Sequence, residues 1–249
     1  MSVQLTEDVH WVGTCEDAGE GQHVHVSVYL IDTGDEYVLV DAGPPHETDI
    51  GDEVDRLTGG AGVDTLLLTH TNMPHTGHVH EYADRGVRVL SATDIPEEFG
   101  GYGELWNRDE TVELAGREFS FPKPPMTDHV YSLWLYDHDS GVLFSSEALG
   151  NYHSPGRCEA VWDEPSDEVS RAEVEAYVRD RLPWVRYVAP EKLESTLRDR
   201  LAGYDVSYVA PGHGTPVAGE QLDAYLDRLM DVVREVAGEW SGPQEPGTP

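Results

Sequence analysis

The sequence predicts an α/β protein, because segments with the apolar patterns of β-strands are interleaved with segments of helical periodicity. Strand-like segments cover residues 23–32, 37–40, 63–69 and 206–210, and helical segments cover 171–181, 191–201 and 221–236. Polar side chains of the kind that bind metals directly follow several of these strands. The pattern therefore predicts both the fold class and the edge at which a functional site would lie.

The first half of the chain reads as a hairpin followed by alternating helices and strands. Residues 23–32 alternate in polarity and end at a Thr-Gly-Asp turn, after which residues 37–40 form the returning strand. Residues 49–57 form a short amphipathic helix, and the nearly all-apolar residues 63–69 predict a strand buried on both faces. Residues 78–84 are predicted to be helical, and residues 87–90 form another strand.

The second half predicts one more strand pair and three helices. Residues 130–136 and 141–145 flank the turn at 137–140, and residues 206–210 form the last predicted strand. Helices are predicted at 171–181, at 191–201 after a proline, and at 221–236. We expect residues 1–240 to form a single domain and the Pro/Gly-rich residues 241–249 to be a disordered tail.

The charge of the chain predicts a protein adapted to high salt. Forty-eight acidic residues against sixteen basic ones give a net charge of −32, and the acidic residues are spread along the chain, not gathered in a tail. Their mutual repulsion is screened at high ionic strength, where the Debye length falls to roughly 3 Å at 1 M salt. We therefore predict a halophilic protein of a high-salt cytosol that binds neither nucleic acid nor anionic membranes.

The cysteines and the N-terminus suggest a cytoplasmic protein. Cys15 and Cys158 lack CxxC spacing, so we expect neither a disulfide nor a thiolate metal cluster, and both should be reduced thiols. The N-terminus has no signal-peptide pattern, and no run of about 18 apolar residues predicts a membrane span.

Potential metal ligands stand at the ends of predicted strands, where α/β folds commonly build their sites. They are Asp41, His70, His75, Glu147 and His213, with His129 just before the strand predicted at 130–136. Imidazoles together with a carboxylate suit zinc, iron or manganese. A single histidine is more often a solvated or hydrogen-bonded residue, so it is the set that predicts a metal site.

The segment LLLTHTNMPHTGH at residues 66–78, with the later ligands, resembles the metallo-β-lactamase superfamily. The family pattern is His-x-His-x-Asp-His after an apolar strand, then a distant histidine, an aspartate in a turn, and a final histidine before glycine. The matching positions in this chain are His70, Asn72, Pro74, His75, His129, Glu147 and His213. Asp41 matches the aspartate that usually braces the first loop of the family.

Within that superfamily the chain is most similar to the metal-binding module of flavodiiron proteins and to oxygen-binding diiron domains. The similarity is carried by VHWVG at 9–13, LFSSEALG at 143–150 and APGHG at 210–214. It implies an αββα sandwich, in which two mixed β-sheets pack face to face between outer helices. It also implies bound iron or zinc, a homodimer and an external electron donor, because no flavodoxin-like domain follows and we expect no flavin in this chain.

Two departures from the family pattern bear on the number of metal ions. By the family's arrangement, one metal would be bound by His70, His129 and Glu147, with Asn72 as a weak oxygen ligand. The other would be bound by His75, His213 and the bridging Glu147. Pro74 offers no ligand where the family has aspartate, and Glu147 is the one carboxylate that remains. We therefore expect one metal ion more than a stable pair, because two close dications with few carboxylates repel each other.

Three functions are compatible with this sequence. The first is the binding, reduction or sensing of dioxygen or nitric oxide, and the second is metal-dependent hydrolysis of esters or thioesters. The third is a metal-free scaffold that has kept the fold. Whether the protein is an enzyme stays open, and the sequence identifies neither catalytic residues nor the small-molecule ligand or substrate.

Overall fold

Two β-sheets form the centre of the protein in the computed structural model, which describes residues 2–46, 49–91, 103–129 and 131–239. The first sheet contains β1 Ser2–Gln4, β2 Val9–Gly19, β3 Gln22–Asp32, β4 Tyr37–Val40, β5 Thr65–Leu68, β6 Arg88–Ser91 and β7 Glu104–Leu105, in that order. The second contains β8 Thr111–Leu114, β9 Arg117–Ser120, β10 Leu135–Asp137, β11 Val142–Ser146, β12 Tyr208–Pro211 and β13 Val217–Ala218, also ordered along the chain.

Helices cover the outer faces of both sheets. They are α1 Asp49–Leu57, α2 Met73–Thr76, α3 Val79–Asp84, α4 Arg171–Arg181, α5 Pro190–Leu201 and α6 Leu222–Gly238. Short 3-10 turns lie at Pro165–Asp167, Pro183–Tyr187 and Gly219–Gln221. None of the helices in the described ranges has the length and apolar character that a membrane span needs.

Both sheets are mixed, and their parallel pairs set the position of the site. Strands β1 to β4 are antiparallel, whereas β4, β5 and β6 run parallel. In the second sheet β11 and β12 are the parallel pair. Because parallel strands end at the same edge, the residues that follow β4 and β5 come together, and so do those that follow β11 and β12.

Alternate residues of each strand face opposite layers, as strand geometry requires. Trp11, Tyr29 and Leu67 of the first sheet pack against Phe119 and Phe144 of the second. Residues of the opposite parity pack outward: those of the first sheet against α1 and α3, and those of the second against α4, α5 and α6. These four layers confirm the predicted αββα sandwich.

Helix boundaries agree with the sequence pattern more closely than the boundaries of some strands. Helices α1 and α4 have the predicted bounds, and α4 begins at a capping box in which Ser170 and Glu173 exchange hydrogen bonds. Residue 130 of the strand predicted at 130–136 lies outside the described residues. Within 131–136 the strand is paired from Leu135, because the backbone N–H of Leu133 instead donates to the carbonyl of Thr69 at 2.7 Å. The predicted tail at 241–249 lies outside the described residues.

The expectation that the two cysteines are separate thiols was wrong. A disulfide joins Cys15 to Cys158, with 5.8 Å between their Cα atoms and 143 residues between them in sequence. The β2–β3 hairpin reaches the loop after residue 150, where His23 and His153 form an antiparallel bridge through their backbones. This long-range contact has no local sequence signal, so cysteine spacing could not predict it.

Candidate metal centre

Four side chains of ligand type meet at the carboxyl ends of the parallel strands. His70 follows β5, His75 lies in α2, Glu147 follows β11 and His213 follows β12. All four are buried, with exposed fractions of 1%, 0%, 3% and 1% respectively. The scaffold thus brings together in the interior four of the six predicted ligands.

The geometry of this cluster is centred on one carboxylate oxygen of Glu147. The Nε2 atoms of His70, His75 and His213 lie 3.3, 3.5 and 3.0 Å from Glu147 Oε1, and the Nε2 atoms of His75 and His213 are 3.3 Å apart. In a tetrahedral site with metal–ligand distances of about 2.0–2.2 Å, neighbouring ligand atoms are roughly 3.3–3.6 Å apart. The separations therefore fit a metal ion held by His75, His213 and Glu147.

Hydrogen bonds outside the centre determine which ring nitrogens face it. His75 Nδ1 lies 3.0 Å from Asp41 Oδ2, and His213 Nδ1 lies 2.6 Å from the carbonyl oxygen of His25. An ionised carboxylate and a carbonyl can only accept, so both Nδ1 atoms must carry the proton. In neutral rings the two Nε2 lone pairs then point at each other and at Glu147. A cation, whether a proton or a metal ion, is needed between them.

The pKa shifts of the buried side chains also favour a positive charge at the centre. Burial by itself lowers the pKa of His75, but the carboxylates of Asp41 and Glu147 outweigh it and raise that pKa to about 9. Burial by itself would raise the pKa of Glu147, but His213 and its neighbours hold it well below the usual value. Burial lowers the pKa of His70, so that ring stays neutral and able to bind a metal.

His70 faces Glu147 from the other side and has an unused nitrogen. Its Nδ1 lies 3.0 Å from the hydroxyls of both Thr69 and Ser146. Its Nε2 is buried and makes no hydrogen bond within the part of the chain that the structure describes. Such an orphaned ring nitrogen, aimed at a carboxylate oxygen, fits a metal ligand.

Asp41 and Ser146 hold the loops that carry the ligands. Asp41 has φ of 63° and Ser146 has φ of 55°, and non-glycine residues adopt this left-handed region infrequently. Asp41 accepts hydrogen bonds at 2.8 Å from both the backbone N–H and the hydroxyl of Thr69, as well as the one from His75. The carboxylate thus fixes the loop after β5 and the ring orientation of His75 together.

Gly212 and Tyr177 position two of the ligands by contact. A Cβ atom on Gly212 would lie 2.9 Å from His75 Cε1 and 3.1 Å from the carbonyl oxygen of Ser146, so this position has room only for glycine. The Tyr177 hydroxyl lies 2.7 Å from the carbonyl oxygen of Glu147 and 3.1 Å from Oε2. That contact holds Oε2 toward Tyr177, so that Oε1 faces the histidines.

Comparison with models of known protein families identifies the superfamily of this chain. Residues 21–213 match the family model of the metallo-beta-lactamase superfamily. The chain belongs to the metallo-β-lactamase superfamily. A search of curated proteins gave no match.

Solved structures similar to this chain include flavodiiron proteins of the superfamily. A mutant flavo di-iron protein from Thermotoga maritima is 17% identical, with a TM-score of 0.75 over 94% of this chain and 62% of that one. Rubredoxin oxygen:oxidoreductase from Desulfovibrio gigas is 16% identical, with a TM-score of 0.71 over 96% and 61%. The flavodiiron protein from Giardia intestinalis is 14% identical, with a TM-score of 0.72 over 94% and 60%. The chain spans about three fifths of the length of these relatives.

His129, the residue that matches the distant histidine of the superfamily pattern, lies apart from the other predicted ligands. His129 is exposed, its ring lies 5.2 Å from that of Tyr131, and it belongs to no ligand group among the described residues. Asp128 instead forms a group with His70 and Glu147. The Thr127 hydroxyl contacts both backbone groups of His129, and this turn directs His129 outward while Asp128 points inward.

Asn72 and Pro74, which match ligand positions of the superfamily pattern, lie at the start of α2. Asn72 is the N-cap residue of α2, and its side-chain amide donates to Asp128 Oδ2 at 3.3 Å. Pro74 lies in the first turn of α2, where the ring suits the backbone and the missing N–H costs nothing. Asp128 was not predicted as a ligand, although it is the residue next to His129.

Proposed function

We propose that the protein binds one ferrous ion through His75, His213 and Glu147 and that this ion binds dioxygen or nitric oxide. Two histidines and one carboxylate, with further positions left open, are the ligand set of many non-haem iron proteins. The observation that carries this proposal is the pair of Nε2 atoms 3.3 Å apart beside Glu147 Oε1, which need a cation between them. One protein similar in fold is named an oxygen oxidoreductase, which supports a diatomic ligand.

One strongly bound ion is proposed because both ligand groups depend on the same carboxylate, Glu147. Ions in both groups would share its single negative charge and repel each other. The group of His70, Asp128 and Glu147 then forms a second and weaker position. Among the described residues these two groups contain two carboxylates, Glu147 and Asp128, which is too few to neutralise two dications well.

The protein's own residues orient and shield the centre. Asp41 and the His25 carbonyl fix the tautomers of the two histidines, and Tyr177 fixes the carboxylate. A ferrous ion bound here would supply open coordination positions and an electron for a diatomic ligand. The electron donor would be an external partner. We further propose a homodimer in a high-salt cytosol, to be checked by analytical ultracentrifugation in molar potassium chloride.

Hydrolysis has less support than diatomic binding. The ligand side chains are at most 3% exposed, which suits a small ligand better than an ester or thioester chain. Pro74 also stands where hydrolases of the superfamily pattern carry the aspartate that orients water. A metal-free scaffold would leave the facing lone pairs of His75 and His213 without any cation other than a proton.

The test is anaerobic reconstitution with ferrous iron in molar salt, followed by removal of loose metal and elemental analysis. We expect one tightly held iron per chain and a change in the electron paramagnetic resonance spectrum when nitric oxide is added. His213→Gln should lose this iron, whereas the matched control His129→Gln should keep it because that side chain is exposed. Asp128→Asn should keep the first iron and weaken only further binding.

The outcomes separate the three functions. Iron that is retained and responds to nitric oxide supports the proposal. Retained zinc with turnover of model esters, and no response to nitric oxide, would replace it with hydrolysis. Failure to retain iron, zinc or manganese would overturn the metal centre itself.

A further inference from the structure

A second group of metal-binding side chains lies at the tip of the β2–β3 hairpin, apart from the ligands described above. Its members are Cys15 of β2, His23 of β3, and His153 and Cys158 of the loop after β11. Cys15 Sγ lies 3.4 Å from His23 Nδ1 and 3.6 Å from His153 Nε2, and Cys158 Sγ lies 3.8 Å from His23 Nδ1. Cys15, His153 and Cys158 form one ligand group, and His23 Nδ1 faces both of its sulfurs.

We propose that, once the Cys15–Cys158 disulfide is reduced, this Cys–His cluster binds one zinc ion through Cys15, Cys158, His23 and His153. Two thiolates and two imidazoles are a common ligand set of structural zinc sites. With Zn–S near 2.3 Å and Zn–N near 2.0–2.1 Å, tetrahedral geometry puts neighbouring sulfur and nitrogen atoms about 3.6 Å apart. The three sulfur–nitrogen separations in the structure, 3.4, 3.6 and 3.8 Å, bracket that value.

The tautomer of His153 is already set for metal binding. Its Nδ1 lies 3.0 Å from the carbonyl oxygen of Ser154, and because a carbonyl can only accept, Nδ1 carries the proton. Its Nε2 therefore presents a lone pair to Cys15. A disulfide sulfur has no hydrogen to donate, so this buried nitrogen, on a side chain that is 1% exposed, has no donor from the sulfur it faces. A metal ion in the cluster would use that lone pair.

The cluster would stay assembled without the disulfide, because other contacts hold the hairpin to the loop. The backbone N–H of His23 donates to the His153 carbonyl at 2.8 Å, and the reverse bond is 3.0 Å long. His25 stacks on His153 with 4.2 Å between ring centroids, and its Nε2 lies 2.9 Å from the carbonyl oxygen of Cys158. Reduction thus releases the two sulfurs from each other without releasing the chain segments that carry them.

The chemistry of loading balances with a dithiol as reductant. The dithiol gives two electrons and two protons to the disulfide and becomes a cyclic disulfide, which leaves two protein thiols. Binding of Zn²⁺ then releases the two thiol protons to solvent, and the ion's charge is neutralised by the two thiolates. In a reducing compartment, where disulfides are rare, the metal-bound form would be the resident one.

The test compares oxidised and dithiol-reduced full-length protein, each titrated with Co²⁺ after the reductant is removed without oxygen. We expect the reduced protein to bind one more Co²⁺ per chain and to show a thiolate-to-cobalt charge-transfer absorption that added Zn²⁺ removes. The metal centre of His75, His213 and Glu147 has no thiolate, so it cannot give that absorption. Success or failure of iron binding at that centre therefore does not change the expected cobalt absorption.

Variants and a chemical block identify the ligands. Cys158→Ser removes one of the two thiolates and should lower the charge-transfer absorption by at least about half, and His153→Gln should weaken Co²⁺ binding at least about tenfold. His10→Gln, on the same strand as Cys15 but outside the cluster, is the matched control and should bind as the wild type does. Alkylation of the reduced wild-type protein should abolish the band, which keeps the test decisive if a variant does not fold. Equal Co²⁺ binding by oxidised and reduced wild-type protein, with no thiolate absorption, would overturn the proposal.

Discussion

Replacing Asp41 with asparagine should weaken metal binding at His75 without removing any ligand. The carboxylate accepts three hydrogen bonds, two from Thr69 at 2.8 Å and one from His75 Nδ1 at 3.0 Å. The backbone N–H of Thr69 can only donate, so the amide oxygen of an asparagine must face it. The amide NH₂ group is then left facing His75 Nδ1, which must become an acceptor.

The magnitude follows from that change of tautomer. If Nδ1 accepts, the ring proton moves to Nε2, and the atom that should bind the metal has no lone pair to offer. Loss of a charge-assisted hydrogen bond costs about 1.5–3 kcal/mol, and each 1.4 kcal/mol is about tenfold in affinity. We therefore expect Asp41→Asn to weaken metal binding about 10- to 100-fold, in line with other residues that orient metal-bound histidines.

The assay is competition between the protein and a chromophoric chelator for ferrous iron or zinc, in molar salt. Asp52→Asn on α1 removes the same charge from an exposed position and is the matched control. Circular dichroism must show that both variants are folded at the temperature of the titration. If Asp41→Asn binds metal as tightly as Asp52→Asn, the inference that Asp41 sets the His75 tautomer is wrong.

Three further predictions concern stability. With a net charge of −32, the protein should unfold at a higher temperature in about 2 M than in about 0.1 M potassium chloride. The Debye length shrinks from about 10 Å to under 3 Å, which screens the repulsion between the acidic residues. A melting temperature that stays constant or falls with added salt would contradict this. Gly212→Ala should lower the free energy of unfolding by about 1–3 kcal/mol in urea titrations, because its methyl group would overlap His75. The control Gly51→Ala in α1 has open space around it and should raise the free energy of unfolding by about 0.5–1 kcal/mol. An unchanged stability of Gly212→Ala would show that the His75 ring can move aside. Burial would raise the pKa of Glu173, but hydrogen bonds to its carboxylate, two of them from backbone N–H groups, outweigh burial and lower it; its stabilisation is therefore present above pH 4.5 and is lost as the pH falls through the lowered pKa. Glu173→Gln should thus cost about 1.5–3 kcal/mol at pH 7, and the difference from wild type should shrink on acidification below pH 4.5; a difference that does not change with pH would contradict the assignment.

Periodic patterns predicted much of the fold because burial imposes them locally. Helix α1 and strand β4 have the predicted bounds, since their apolar positions match the helical and strand periods. The β8–β9 hairpin was missed, because its residues are largely polar and are held by pairing to β10 at the sheet's edge. The strand expected from residue 130 begins at Leu135, because tertiary hydrogen bonding overrides local propensity there.

The sequence predicts which side chains meet where they follow strands. It does not predict this where the conformation of a turn determines which side chain faces inward. His70, Glu147 and His213 stand at strand ends, and parallel pairing brings strand ends together. His129 and Asp128 are neighbours on a turn, and a hydrogen bond of Thr127 decides which of them faces inward. Hydrophobic periodicity in the sequence does not indicate which of two neighbouring turn residues faces inward. The Cys15–Cys158 contact spans 143 residues, so it too depends on the assembled sandwich.

The most direct test of the metal centre is a crystal structure of the iron-loaded protein with anomalous diffraction at the iron edge. We predict an iron peak between Nε2 of His75, Nε2 of His213 and Oε1 of Glu147, at roughly 2.0–2.2 Å from each. A crystal with those three atoms still hydrogen-bonded to one another, and iron only at surface carboxylates or nowhere, would contradict the account.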